Sequence, residues 1–195
     1  MKEYIKDQIK KSYETKQAIY GNSDLLNKIE EVSKKCVELY RGSCKTILAG
    51  NGGSAADAQH IAAELVGRYG FDRPSLASLA LTTDTSNLTA IGNDYGYDQV
   101  FSRQLDGMGQ SGDIFIGIST SGNSQNLINA FEVAKKKNIL SVALVGKDGG
   151  KMAQMADIAL IVPSNSTPRI QESHILIGHI LCDIIEKEIF ANGIS

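Results

Sequence analysis

The sequence predicts an α/β fold in which a parallel five-stranded sheet carries helices on both faces and is preceded by two further helices. Three observations predict it. Short apolar runs rich in β-branched residues alternate with stretches of helical period from residue 46 to residue 190. The runs lack the polar alternation of a half-solvated strand, as expected of strands covered on both sides. Gly- and Ser-rich turns follow the first and third runs, where sheets of this kind place their sites. With 195 residues, 42% hydrophobic and 22% charged, the chain suits one domain with a full core: a helical extension over about 1–42 and an α/β core over about 45–190 within a single unit 1–195.

Residues 2–20, with Tyr4, Ile5, Ile9, Tyr13 and Ala18, read as a weakly apolar helix. Leu25, Ile29, Val32, Cys36 and Leu39 step by four and three, with Glu30, Glu31, Lys34, Lys35 and Glu38 on the remaining faces, so 23–41 is an amphipathic helix ended by Gly42. Helices placed ahead of a sheet in this way often pack on another subunit. There follow a strand over 46–49, a helix over 54–69, a strand over 76–81, and helices near 85–92 and 98–107. Then come a strand over 114–118, a helix over 124–137, a strand over 140–145, a short helix over 150–155, a strand over 158–162 and a helix over 169–190.

The formal net charge of −2 gives no basic footprint for nucleic acid or an acidic membrane. Cys36, Cys44 and Cys182 have no CxxC spacing, and no apolar segment long enough for a signal or a span follows Met1, so a cytoplasmic protein is expected.

The most informative stretch is Ser119-Thr120-Ser121-Gly122-Asn123-Ser124, which joins the apolar run Ile114–Ile118 to the helix from Gln125. Free N–H groups and the positive end of the helix dipole favour an anion there, and four hydroxyls in six residues exceed what one N-cap requires. This turn reads as a phosphate cradle. The loop after the first strand, Gly50-Asn51-Gly52-Gly53-Ser54-Ala55, also lets backbone approach a ligand. Its match to GxGxxA is weak, because Asp72 precedes the second strand and Asp84 lies too far along to hold a ribose. No GxxxxGK[ST] element is present.

In the helix after this loop, His60 and Glu64 are four apart and share a face, which makes either a surface hydrogen bond or half of a metal site. The apolar residues around them predict a largely buried helix whose polar members need partners or a cavity. The last helix embeds Gln171, Glu172, His174 and His179 among apolar residues. Gln171 and His179 lie about 80° apart around it, and His174 about 60° to the other side of Gln171. Geometry leaves the choice of histidine open. Gly92-Asn93-Asp94-Tyr95-Gly96 reads as a polar turn.

Taken together, Asn51–Ser54, His60–Tyr69, Gly92–Asp94, Ser119–Ser124, Gly146–Gly150 and Arg169–His174 resemble, in order, the phosphoheptose isomerases of the sugar isomerase (SIS) superfamily. The resemblance runs from about Thr46 to Phe190. It implies a single SIS domain with a flavodoxin-like, doubly wound sheet. It also implies an aldose–ketose isomerase that converts sedoheptulose 7-phosphate to D-glycero-D-manno-heptose 7-phosphate for bacterial heptose synthesis, supplying lipopolysaccharide or capsule. A homotetramer with active sites at subunit interfaces is implied as well. On this resemblance Ser119, Thr120, Ser121 and Ser124 hold the phosphate, while Asn51, Gly52, Gly53, Asn93 and Asp94 line the rest of the substrate site. His60, Glu64, Gln171 and His179 match the zinc ligands, one zinc per subunit, and select His179 over His174. Glu64 is the base and His179 its partner, with Glu64 and Gln171 also meeting substrate. A non-catalytic SIS relative that associates with a replication initiator shares the Gly50–Ser54 and Arg169–Glu172 elements but lacks counterparts of Glu64 and His179. An isomerase of another sugar phosphate is the remaining alternative.

Overall fold

The structure, a computed structural model, describes residues 1–191; the last four residues of the expected unit 1–195 lie outside the described residues. Two helices, α1 (Lys2–Tyr20) and α2 (Ser23–Tyr40), precede the sheet. Asn22 starts α2 by accepting the Leu25 N–H at 3.1 Å, a cap that satisfies one of the free donors of the first turn. The strands β1 (Thr46–Gly50), β2 (Ser78–Ala80), β3 (Ile114–Ser119), β4 (Leu140–Gly146) and β5 (Ile158–Val162) pair in parallel in the order β2-β1-β3-β4-β5. This is the doubly wound order with its reversal between β1 and β3.

Alternation along the strands sorts the core into two layers. Leu48 of β1 and Ile114, Ile116 and Ile118 of β3 pack with α2, α3 (Gly53–Val66) and α8 (Thr167–Phe190) on one face. Ile47 and Phe115 pack on the other with Leu105 of α5 (Ser102–Met108), Leu127 and Phe131 of α6 (Gln125–Lys136), and Met152 of α7 (Gly150–Met155). Each fully buried side chain of this size contributes roughly 1.5–3 kcal/mol. The N-terminal ends of β1 and β3 are fixed by Asp113, which is fully buried and accepts from the Lys45 N–H at 3.0 Å, the Gln110 N–H at 3.0 Å and Lys45 Nζ at 2.7 Å.

Four expectations change. The edge strand is three residues long, not six. The expected helix over 98–107 is a 3₁₀ turn, Tyr97–Gln99, followed by α5. Gly92–Tyr95 is no turn: it is the last part of α4 (Thr85–Tyr95), ended by Gly96 at φ 87°. Finally, α3 is buried on one face only; Ala56, Gln59, His60, Ala63 and Val66 are exposed in the single chain. An alanine-rich helix carries too little amphipathic contrast to reveal which side is covered. The apolar residues named in α1 behave alike, with Tyr4, Ile5, Ile9 and Tyr13 all exposed while Thr15 and Ile19 face the protein.

Candidate active site at the sheet's reversal point

β1 and β3 run side by side in register, Gly50 beside Ile118, so the loops that follow them emerge together although about seventy residues separate them. Between them lies a cavity of 140 Å³ lined by Asn51, Ser54, Ile118, Ser119, Thr120, Ser121 and Ser124. Ser124 is the N-cap residue of α6, yet its hydroxyl makes no cap hydrogen bond and lies 3.3 Å from Ser119 Oγ. The hydroxyl is thus left facing the cavity side of the turn. Ser119 Oγ accepts the Gly122 N–H at 3.1 Å, which closes the turn. Gly122 is in the left-handed region at φ 65°, and a Cβ there would sit 2.0 Å from Gly149 O, so only glycine fits.

Asn51 is held in a way the sequence did not reveal. Its Nδ2 donates to Asn126 Oδ1 at 3.0 Å, and Asn126 Nδ2 donates back to Asn51 Oδ1 at 2.9 Å. Tyr97 Oη adds a third bond to Asn51 Oδ1 at 3.1 Å. Asn126 is buried in the first turn of α6, so this amide pair joins the β1 loop to the cradle helix. The available signal was weak: Asn126 directly precedes Leu127 and Ile128 on the apolar side of an amphipathic helix. The cavity lining also includes Ser54, which the motif contains and the expected site omitted.

The second cluster stands on α3 and α8, which pack side by side on one sheet face. His60 Nε2 lies 3.0 Å from Glu64 Oε1 and 3.4 Å from His179 Nε2, and one donor atom from each of the three residues falls within 4.8 Å of the others. Two imidazole nitrogens directed at one another with a carboxylate beside them suit a cation between them, and two N donors with an O donor suit Zn²⁺ among the common metals. The Tyr69 ring lies 5.7 Å from that of His179. Gln171 lies two turns earlier on α8 with its amide against the β1 loop, where a Cβ on Gly53 would be 1.7 Å from Nε2.

His174 takes the other side of α8. It is fully buried beside the Val145 backbone, with neither ring nitrogen in hydrogen-bond geometry, and burial lowers its pKa to about 4. It stays a neutral core residue near pH 7. Asp57 of α3 is buried with Oδ2 unpartnered, and burial raises its pKa to about 6. Asn93 and Asp94 are exposed on the last turn of α4, bonded to one another at 2.8 Å, and are not among the residues lining the cavity. Gly52, at φ 57°, stands exposed at the start of α3.

The model of the SIS domain family matches residues 13–146. A curated phosphoheptose isomerase of Sulfurimonas denitrificans is 81% identical over 195 residues, the whole of both chains. One from Aneurinibacillus thermoaerophilus is 60% identical over 98% of this chain and 97% of its own. The solved structure of phosphoheptose isomerase GmhA from Neisseria gonorrhoeae superposes with a TM-score of 0.89 at 44% identity, covering 95% of this chain and 98% of that one. That of a phosphoheptose isomerase from Francisella tularensis gives 0.91 at 36% identity, covering 95% and 97%. The likeness spans both loops at the reversal point as well as the helices behind them, and the chain belongs to the phosphoheptose isomerases of the SIS domain family.

Proposed function

We propose that the chain interconverts sedoheptulose 7-phosphate and D-glycero-D-manno-heptose 7-phosphate, an early step in making activated heptose for bacterial glycans, and that it works as a single SIS domain. The observation that carries the reading is the convergence of His60, Glu64 and His179 on the helix pair whose N-terminal loop also lines the phosphate-sized cavity. A module that only bound a sugar phosphate would need the cavity alone.

Ser119, Thr120, Ser121 and Ser124 anchor the phosphate at the N-terminus of α6, where hydroxyls and free N–H groups compensate its charge. Asn51, locked by Asn126 and Tyr97, presents a fixed amide to the sugar, with Gly52, Gly53, Asn93 and Asp94 completing the substrate site. The Glu64 carboxylate removes the C1 proton of the ketose while the C2 oxygen gains a proton, giving an enediol. Glu64 then returns a proton to C2, and the C1 hydroxyl gives up its own. His179 handles the transfer between oxygens. His60, Glu64, Gln171 and His179 would hold one zinc ion per subunit; when bound, it supplies a Lewis acid that polarises the carbonyl.

Exposed Ala56, His60, Ala63 and Val66 on α3, together with Tyr4, Ile5, Ile9 and Tyr13 on α1, support burial against further copies of the chain in a homotetramer whose interfaces complete the sites. The reaction is assigned to the cytoplasm; among the described residues no helix is long and apolar enough to cross a membrane. The test is incubation with sedoheptulose 7-phosphate beside other ketose phosphates, following each aldose. Turnover of the heptulose is expected, and turnover of none of them would overturn the reading.

A further inference from the structure

We infer that Arg73 and Glu186 are positioning residues for the reaction, forming a buried clamp that sets the spacing between the two helices that carry the His60, Glu64 and His179 cluster. The inference rests on the reading of that cluster as a metal and proton-transfer site.

Both side chains are almost wholly buried, 1% and 2% exposed, with Arg73 Nε 2.9 Å from Glu186 Oε2. Neither is spent on the other alone. Arg73 Nη2 donates to the carbonyl of Glu64 itself at 2.8 Å, and Nη1 donates to Leu65 O at 2.7 Å, Pro74 O at 3.0 Å and Gly67 O at 3.3 Å. The guanidinium therefore closes the C-terminal end of α3, where the last carbonyls lack helical partners and a cation is favoured. Glu186, two turns beyond His179 on α8, accepts the N–H groups of Tyr69 at 2.9 Å, Gly70 at 2.6 Å and Phe71 at 3.2 Å. Burial alone would raise this carboxyl, but the bonds from Tyr69, Gly70, Arg73 and Phe71 outweigh it and hold it below its ordinary range.

The consequence is geometric. One ion pair attaches the backbone of Glu64 to α8 and also fixes Tyr69, whose ring lies against His179. This clamp ties the segment after α3 to α8 through charged, directional bonds, whereas hydrophobic contact alone would tolerate sliding. The cradle residues Ser119–Ser124 form the turn between β3 and α6 and receive none of these bonds. Loosening the clamp is therefore expected to affect metal and proton transfer while sparing phosphate anchoring.

The test uses Arg73→Lys, which keeps a charge for Glu186 but loses the fork to Glu64 and Leu65, and Glu186→Gln, which keeps shape and loses charge. Zinc affinity is measured by competition with a chromophoric chelator, and kcat and KM are measured separately. Expected are zinc affinity weakened about 10- to 100-fold and kcat lowered by a similar factor, with KM near that of the unaltered protein. Variants that unfold earlier on heating but bind zinc as tightly and turn over as fast when folded would reduce the pair to a structural role and overturn the inference. If the unaltered protein binds no zinc and turns over nothing, the reading of the cluster fails instead. Should neither variant fold, amide exchange of the unaltered protein decides: the Tyr69, Gly70 and Phe71 N–H groups are expected among the slowest outside the sheet, and rapid exchange there overturns the clamp.

Discussion

The amide of Gln171 fills the space in which a side chain at Gly53 would begin, 1.7 Å from the position of its Cβ. The atom in the way is the end of a flexible side chain, so Gly53→Ala can be accommodated by swinging Gln171 aside. Because Gly53 lies in the first turn of α3 without positive φ, the alanine leaves stability within about 1 kcal/mol of the original. Activity is expected to fall at least tenfold, since Gln171 is displaced from the β1 loop. Thermal unfolding beside a steady-state assay checks this, and full activity would show that Gln171 has no part in the site.

Glu64→Gln removes the proposed base while keeping its shape. Turnover should drop about 10²- to 10⁴-fold, the usual worth of a positioned general base. Binding of the sugar phosphate, followed by calorimetry, should persist because the cradle lies on a different helix. A variant with unaltered kcat would remove Glu64 from the mechanism.

For the metal, His179→Asn withdraws one of the two facing imidazole nitrogens. Metal content by mass spectrometry and activity should be lost together, and chelator should inactivate the unaltered protein until zinc is restored. Protein purified without zinc that is indifferent to chelator would refute the assignment.

His174 predicts acid lability of the fold. Folded, its pKa is about 4; in the unfolded chain an imidazole titrates near the ordinary 6.5. Its stabilising contribution is full above pH 6.5 and declines as pH falls toward 4, because the unfolded chain takes up the proton first. The loss is on the order of 3 kcal/mol over that window. His174→Leu should flatten this part of a denaturant-unfolding profile.

Asp57 has the opposite sign. Its folded carboxyl, raised to about 6, favours the folded state below the unfolded value near 3.9 and loses that advantage as pH rises through 6. Asp57→Asn should therefore raise the unfolding temperature at pH 8 more than at pH 4. Equal effects at both would mean that the carboxylate is partnered when ionised.

The sheet and most helices were legible because period and turn chemistry agree over Thr46–Val162, and buried parallel strands leave an unmistakable apolar run. The grouping of Ser119, Thr120, Ser121 and Ser124 around one cavity was legible for a local reason: all four hydroxyls fall within one turn. What periodicity left unresolved depends on which side of a helix meets what. His174 and His179 lie about 140° apart around α8, and which of them meets β4 and which meets α3 follows from packing rather than from spacing. Asn51 with Asn126, and Arg73 with Glu186, are pairs 75 and 113 residues apart with no shared motif, so only the folded chain joins them. The last turn of α4 hid for another reason: only Leu88 and Ile91 pack on the core, and no apolar residue beyond Ile91 joins them to announce the final turn.

The reversal between β1 and β3 divides the molecule into parts with unequal freedom to change. Chain from Leu81 to Asp113 leaves the sheet at one side of the gap and returns at the other, while the register of Gly50 with Ile118 is set by the strands themselves. Within that excursion Val100, Phe101 and Leu105 are committed to the core and Asp113 to the strand ends, whereas the exposed end of α4, with Asn93 and Asp94, can change without disturbing that register. The two loops thus keep their relative position whatever stands at that exposed end, and Tyr97, donating to Asn51, marks where the excursion touches the β1 loop.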